Sequence, residues 1–299
     1  MAVERMQSSL WEGLNANPGL PPGFIFSQGS LQDYSDCPRR FWLRYVLRLA
    51  WPAVQSEPVM ENERAMQQGE RFHRLAQQYW LGVPAERLEA MIHEADLHAW
   101  WEKFTRFAQG LHGVQHFYPE VGLSAPLGEQ RLVAQFDLIA AGADGRFTIY
   151  DWKTSARKPP REWLMERLQT RVYPYLLGRA GASLNAGQPI PPESVEMVYW
   201  YPAHPDQPES FLYSARQYAE DQASLAGLVQ EIARRAESVE APGAFPLTEQ
   251  EKRCAFCVYR SLCERGERAG PMEAGEPGEE AEGELEITLD FEQIAEIEF

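Results

Sequence analysis

The sequence predicts an α/β protein, a sheet flanked by helices, on three observations. Two strand-like runs, Gln130-Arg-Leu-Val-Ala-Gln-Phe-Asp137-Leu-Ile and Phe147-Thr-Ile-Tyr-Asp151-Trp-Lys153, flank the turn signal Gly142-Ala-Asp-Gly145 and read as a hairpin. Stretches of helical periodicity precede and follow them. Three of the four cysteines, Cys254, Cys257 and Cys263, fall within ten residues near the end.

The 299 residues allow one large domain or two modest ones, and 44% hydrophobic content with nine Trp supports a sizeable core. No apolar run is long enough to span a membrane, and residues 1–9 lack a basic region followed by an apolar core. No membrane association and a cytoplasmic location are therefore expected. The net charge of −16 argues against a generic nucleic-acid binder, but residues 269–299 carry eleven acidic groups and no Lys or Arg. Without those eleven charges the rest stands at −5, mild enough for local basic surfaces.

Taken in order, residues 1–26 form a loose lead-in rich in Gly, Pro and Asn. Residues 27–49 read as helical, with Pro38 separating a short helix from a longer one. In the longer one Arg40, Arg44 and Arg48 recur every four residues beside Phe41, Tyr45 and Leu49. That pattern fits either a solvated basic face or a stripe that contacts phosphates. Residues 61–81 form a helix carrying Gly69 and His73, four apart. Residues 85–111 read as one long helical stretch, mainly core, and His93, His98 and His112 in or near it lack zinc-site spacing. Phe117-Tyr-Pro-Glu120 opens the sheet, and the hairpin follows. Arg157-Lys158-Pro-Pro-Arg161 is a basic turn suited to start a helix over 162–177, which sets Gln169 and Tyr173 on one face and should kink at Pro174. Residues 195–201 and 210–213 read as strands, and 215–238 as a polar-surfaced helix. The tail is expected to be largely disordered to about residue 283. Its end, Leu285-Glu-Ile-Thr-Leu-Asp-Phe, could add a strand or bind a partner.

The hairpin carries the chemistry. Thirteen residues separate Asp137 from Asp151, so a tight hairpin can bring both carboxylates into one site. Residues two apart on a strand share a face, so Asp151 and Lys153 emerge together while Trp152 points the other way. Two carboxylates can hold Mg²⁺ or Mn²⁺, and a lysine beside them can orient or activate a water or offset charge on a phosphate. The other reading of Asp-x-Lys is a strand end whose charges simply meet solvent. Two disulfides would need an oxidising compartment. A metal site explains Cys37, Cys254, Cys257 and Cys263 together, and four thiolates suit either zinc or an iron–sulfur cluster. Either would tie the N-terminal helices to the C-terminal segment like a clasp.

The order Cys37-Pro-Arg-Arg-Phe, Gly69-x-x-x-His73, Glu120, Phe136-Asp137, Asp151-Trp-Lys153, Gln169-x-x-x-Tyr173 and the three late cysteines resembles the PD-(D/E)XK nucleases of the RecB type. The most similar subgroup has an iron–sulfur clasp: the AddB nuclease domain and the CRISPR-associated exonucleases. The resemblance implies a restriction-endonuclease-like core, a mixed central sheet flanked by helices, with an N-terminal helical insertion and a C-terminal cysteine clasp. It implies a domain over 27–268 and a metal-dependent DNA nuclease, an exonuclease on single strands or duplex ends, in repair, recombination or CRISPR-type processing. It further implies that His73, Asp137, Asp151 and the Trp152 carbonyl bind Mg²⁺ or Mn²⁺, that Lys153 is the catalytic lysine and that Glu120 is an accessory acid. Gln169 and Tyr173 would lie near the DNA, and the four cysteines would ligate a 4Fe-4S cluster, with structural Zn²⁺ as the alternative. Arg40, Arg44, Arg157, Lys158 and Arg161 are candidates for backbone contacts. Asp151 stands where many members have Glu, which the pattern permits; Pro174 after Tyr173 and the acidic tail depart from it. The rival reading is a non-catalytic DNA-end-binding subunit for a helicase partner. A third is a zinc-clasped interaction module that works through its tail.

Overall fold

The computed structural model describes residues 19–49, 57–238 and 243–266. Most of the expected lead-in and all of the acidic tail, with its strand-like run from Leu285, lie outside the described residues. The described chain is a mixed α/β structure in which one six-stranded sheet carries helices on both faces.

Strand β1 (Ile25–Ser27) opens the chain and runs parallel to β3 (Gln130–Gly142). The sequence assigned residues 25 and 26 to the lead-in; three residues are too few for a periodic signal, and their partner lies a hundred residues on. Ser27 caps helix α1 (Gln28–Asp36) through a reciprocal pair of hydrogen bonds with Ser30. Pro38 starts α2 (Pro38–Phe41), as expected, but the helix then widens into a π turn over Trp42–Val46. That turn breaks the four-residue repeat of Arg40, Arg44 and Arg48, and Arg48 leaves the helix at φ 50°.

Helix α3 (Glu57–Trp80) carries Gly69 and His73. The expected single helix over 85–111 is two, α4 (Ala85–Glu89) and α5 (Ala95–Gln109). β2 (Val114–Leu127) and β3 form a long antiparallel pair, and β4 (Phe147–Trp152) pairs with β3 over Leu138–Ala141 only. Because β2 occupies one edge of β3 throughout, β1 and β4 must share the other edge, and the gap between them opens beside Phe136 and Asp137. β5 (Val195–Trp200) lies parallel to β4, and β6 (Glu209–Leu212) closes that end.

Between β4 and β5 the chain forms α6 (Arg161–Glu166) and α7 (Leu168–Ala180), not one helix. The break falls at the extended residue Arg167, and Pro174 sits inside α7. A tertiary contact supports this break: Gln32 of α1 accepts a hydrogen bond from the first amide of α7, Leu168 N, at 3.2 Å. Helix α8 (Ala215–Ala236) follows β6, capped by Ser214.

The sheet separates two cores. The larger gathers α1, α2, α7 and α8 around residues such as Phe26, Phe41, Phe136, Val172 and Leu177. The smaller joins α3 and α5 to Leu138, Trp152 and Trp200. Trp152 packs there against Phe104 at 5.3 Å and Trp200 at 6.0 Å between ring centroids, on the side away from Asp151, as strand alternation requires. No described helix is long and apolar enough to cross a membrane.

Alternation itself slips at one row. In β3, Leu132, Ala134 and Phe136 enter the larger core, but past Asp137 it is Ile139 and Ala141 that do, while Leu138 turns to the smaller. In β2 the same happens between Val121 and Tyr118, around Glu120. Register is unchanged, with Val121 opposite Phe136 and Pro119 opposite Leu138, so both strands slip together.

Candidate active site

The site forms where β4 leaves β3. Continuing the register of Leu138 with Tyr150 by one residue sets Asp137 against Asp151. The two strands part there, and the Asp137 carboxylate takes up the edge that is freed. Its Oδ2 accepts the Trp152 N–H at 2.8 Å, and its Oδ1 lies 3.1 Å from His73 Nδ1 on α3. Asp151 is buried, its Oδ1 accepting from Gln169 Nε2 of α7 at 2.7 Å and its Oδ2 lying 3.2 Å from the Lys153 ammonium. Lys153 is fixed by its own amide, which donates to Trp200 O at 2.9 Å, and its ammonium stands 5.9 Å from the centre of the Tyr199 ring. Asp137, Asp151, Lys153 and His73 thus meet, as the hairpin predicted for the first three.

Gly69 explains how α3 comes so close. A Cβ there would stand 3.0 Å from Thr154 Oγ1, inside ordinary contact, so glycine lets the helix lie against the segment after Lys153 without displacing Thr154. His73 follows one turn later on the same face.

The electrostatics follow from this packing. Burial alone would lower the His73 pKa, but the hydrogen-bonded Asp137 and the nearby Asp151 outweigh it and push it up to about 9. Tyr173, packed on Phe136 at 4.8 Å between ring centres, is held well above the phenol range by burial and then by Asp151 and Asp137, so its hydroxyl stays protonated. Glu120 is raised by burial and then by Asp137, which sets its carboxyl within the same field. Glu120 is also left-handed, at φ 51°, an uncommon conformation for a non-glycine residue.

Gln169 and Tyr173, expected near DNA, are both buried, and Gln169 is committed to Asp151. The candidate backbone contacts are also engaged within the protein. Arg40 pairs with Asp33 at 2.7 Å and Asp36 at 2.9 Å, and Arg44 with Asp33 at 3.2 Å, so these two belong to an internal charge network. Lys158 and Arg161 both hold Glu209, at 2.8 and 3.0 Å, which pins the basic turn to β6, while Arg157 is exposed. Gln135 and the Trp152 amide are site groups that the sequence did not single out, and Gly69, named with His73 in the Gly69-x-x-x-His73 motif, adds the spacing role seen here.

The four cysteines form no disulfide. Burial pushes the Cys257 thiol up to about 11 and the Cys263 thiol up to about 12; Cys257 also feels Cys37 and Cys254, and Cys263 feels Cys257, Cys37 and Cys254. Independently of any metal, residues 243–266 wrap the N-terminal helices. Arg39 donates to Phe245 O at 2.7 Å, Tyr259 to Leu49 O at 2.9 Å, Phe245 stacks 6.2 Å from Phe41, and Arg253 pairs with Asp36.

Among the described residues, no three His, Cys, Asp or Glu side chains converge on one metal position. The donor set at Asp137 and Asp151 still fits Mg²⁺, which is commonly bound by one or two carboxylates plus substrate phosphates rather than by an all-protein cage. At the cysteines the donor chemistry fits a thiophilic metal, although the thiols do not meet at one ion position.

The mixed sheet thus splits beside Asp137 and Asp151, which continue the register of β3 and β4, with a lysine two residues beyond the second. The chain belongs to the PD-(D/E)XK nuclease superfamily, whose family model matches residues 25–264. Two solved structures are distantly similar. SSO0001 shares 12% identity over 80% of this chain and 85% of its own, with a TM-score of 0.37. The "Putative exonuclease" from Eubacterium rectale shares 9% identity over 76% of this chain and 85% of its own, with a TM-score of 0.46. No curated protein matches.

Proposed function

We propose that this chain is a metal-dependent deoxyribonuclease, an exonuclease on single-stranded DNA or duplex ends. The observation that carries the reading is that the His73–Asp137 and Lys153–Asp151 pairs lie side by side at the sheet gap, joined through the Trp152 amide that Asp137 accepts. Asp137 and Asp151, with His73 and the Trp152 carbonyl, would hold Mg²⁺ or Mn²⁺. A bound divalent ion supplies Lewis acidity and a water acidic enough to give hydroxide near neutral pH. The protein's own groups do the rest. The Trp152 amide and His73 orient Asp137, and Gln169 orients Asp151. Lys153 brings one positive charge to the phosphate and offsets the charge that grows on it in the transition state.

The four cysteines are proposed to ligate an iron–sulfur cluster, with zinc as the alternative, on top of the protein contacts that already hold residues 243–266 to the N-terminal helices. Absorbance near 400 nm with bound iron in anaerobically purified protein is the expected result, and zinc without iron would select the alternative.

The test is cleavage of end-labelled single-stranded and duplex DNA with Mg²⁺ or Mn²⁺, Lys153→Ala beside wild type. Metal-dependent products from wild type, reduced at least a hundredfold in the variant, are expected. Binding without cleavage by both proteins would overturn the reading in favour of an end-binding subunit that serves a helicase.

A further inference from the structure

Glu120 presents a problem. It lies in the middle of β2, yet its backbone is left-handed at φ 51°, a conformation costly for a residue with a side chain. An inserted residue would explain a local distortion, but the register on either side is the same, so this is no ordinary bulge. Something must hold the conformation. The Gln135 side chain of β3 reaches it twice: Nε2 donates to the Glu120 carbonyl at 2.7 Å and lies 3.1 Å from the Glu120 carboxylate Oε2. Room for that reach comes from Gly122, directly opposite Gln135, where a Cβ would lie 3.3 Å from Gln135 Oε1.

We infer that Gln135 is a positioning residue that clamps Glu120 in its left-handed conformation so that the Glu120 carboxylate is held on the side of Asp137, its neighbour across the strands, where it supports binding of a divalent ion. One donor engages both the backbone and the side chain of Glu120, which couples the strained conformation to the direction of the carboxylate. Without the clamp, the backbone of Glu120 returns to the extended form, and strand alternation then turns the carboxylate to another face. The register agrees: the pairs Pro119–Leu138 and Val121–Phe136 bracket Glu120 and Asp137, so the clamp acts on the residue across the strands from a site carboxylate. The inference rests on the nuclease reading for the identity of the ion, but not for the clamp.

The test compares wild type, Gln135→Met, Glu120→Gly and the double variant by calorimetric titration with Mn²⁺ alone, by thermal melting and by cleavage kinetics. Gln135→Met keeps the length of the side chain and removes its donor. Each single variant should weaken Mn²⁺ binding about tenfold or more, the size usual for groups that orient a ligand. The double variant should bind no more weakly than Glu120→Gly, because Gln135 acts only through Glu120. Glycine accepts φ 51° without strain, so Glu120→Gly should melt at the wild-type temperature or a few degrees above. Should Gln135→Met prove unfolded, Gly122→Ala crowds the clamp without removing a donor and should weaken Mn²⁺ binding in the same direction. Wild-type Mn²⁺ affinity in Gln135→Met, or additive losses in the double variant, would overturn the clamp while leaving the nuclease reading intact. A wild type that neither binds Mn²⁺ nor cleaves would overturn the nuclease reading itself.

Discussion

Replacing Gly69 with alanine isolates the approach of α3 to the catalytic segment. In a helix interior this substitution gains about 1 kcal/mol. Here the new Cβ stands 3.0 Å from Thr154 Oγ1, a few tenths of an ångström inside ordinary contact. Overpacking of that kind costs about 1–3 kcal/mol. The two effects nearly cancel, leaving a net loss of about 0–2 kcal/mol, so Tm should fall by no more than roughly 8 °C. Activity should respond far more. His73 lies one turn beyond Gly69 on the same face and touches Asp137, and a shift near 1 Å in such a group costs about a hundredfold. The expected result is a stable protein with cleavage reduced about 10–100-fold. Thr154→Ala in the same chain removes the offending oxygen and should restore the rate while keeping the helix gain. A single Gly69→Ala variant that melts higher than wild type and cleaves at full rate would refute the close-approach explanation.

Two further outcomes are expected. Asp36 is buried between Arg40 and Arg253, so Asp36→Ala should cost about 2–4 kcal/mol, less than a fully buried pair because both arginines keep some solvent; urea unfolding measures it, and an unchanged midpoint would remove this network from the account of the clasp. Burial pushes the Glu209 carboxyl up, but hydrogen bonds and charge from Lys158 and Arg161 outweigh it and hold it below the usual range. A lowered folded pKa gives stability that is present above the ordinary carboxylate range and lost as pH falls through the folded value. Unfolding midpoints for Glu209→Gln, followed from about pH 7 to about pH 3, should therefore lose less on acidification than wild type, and parallel curves would contradict this.

Much of the site was legible because it is local. Asp137, Asp151 and Lys153 lie on one hairpin whose turn glycines and alternation mark it, and strand geometry alone sets Trp152 apart from its neighbours. His73 is sixty-four residues from its partner, and only the ordered motif set pointed to it. What escaped was fixed by distant contacts. Nothing near Arg167 says that a helix ends there, since Gln32 reaches in from α1. Glu120 follows a proline and precedes Val-Gly, a context that reads as plain strand, and its conformation depends on Gln135 in the next strand. The arginine stripe shows the opposite failure. Asp36 lies four residues before Arg40, a visible pairing signal, and the phosphate reading gave it no weight.

The wrapping of the N-terminal helices by residues 243–266 bears on how the chain is made. Arg39 and Leu49 find their partners 206 and 210 residues later. At about 5–20 residues per second on the ribosome, the first helices therefore wait roughly 10–40 s for the segment that covers them. During that interval the faces of Tyr34 and Phe41 that later meet Phe245 stand open to water. A product truncated before Phe245 lacks the ring that covers those aromatic faces.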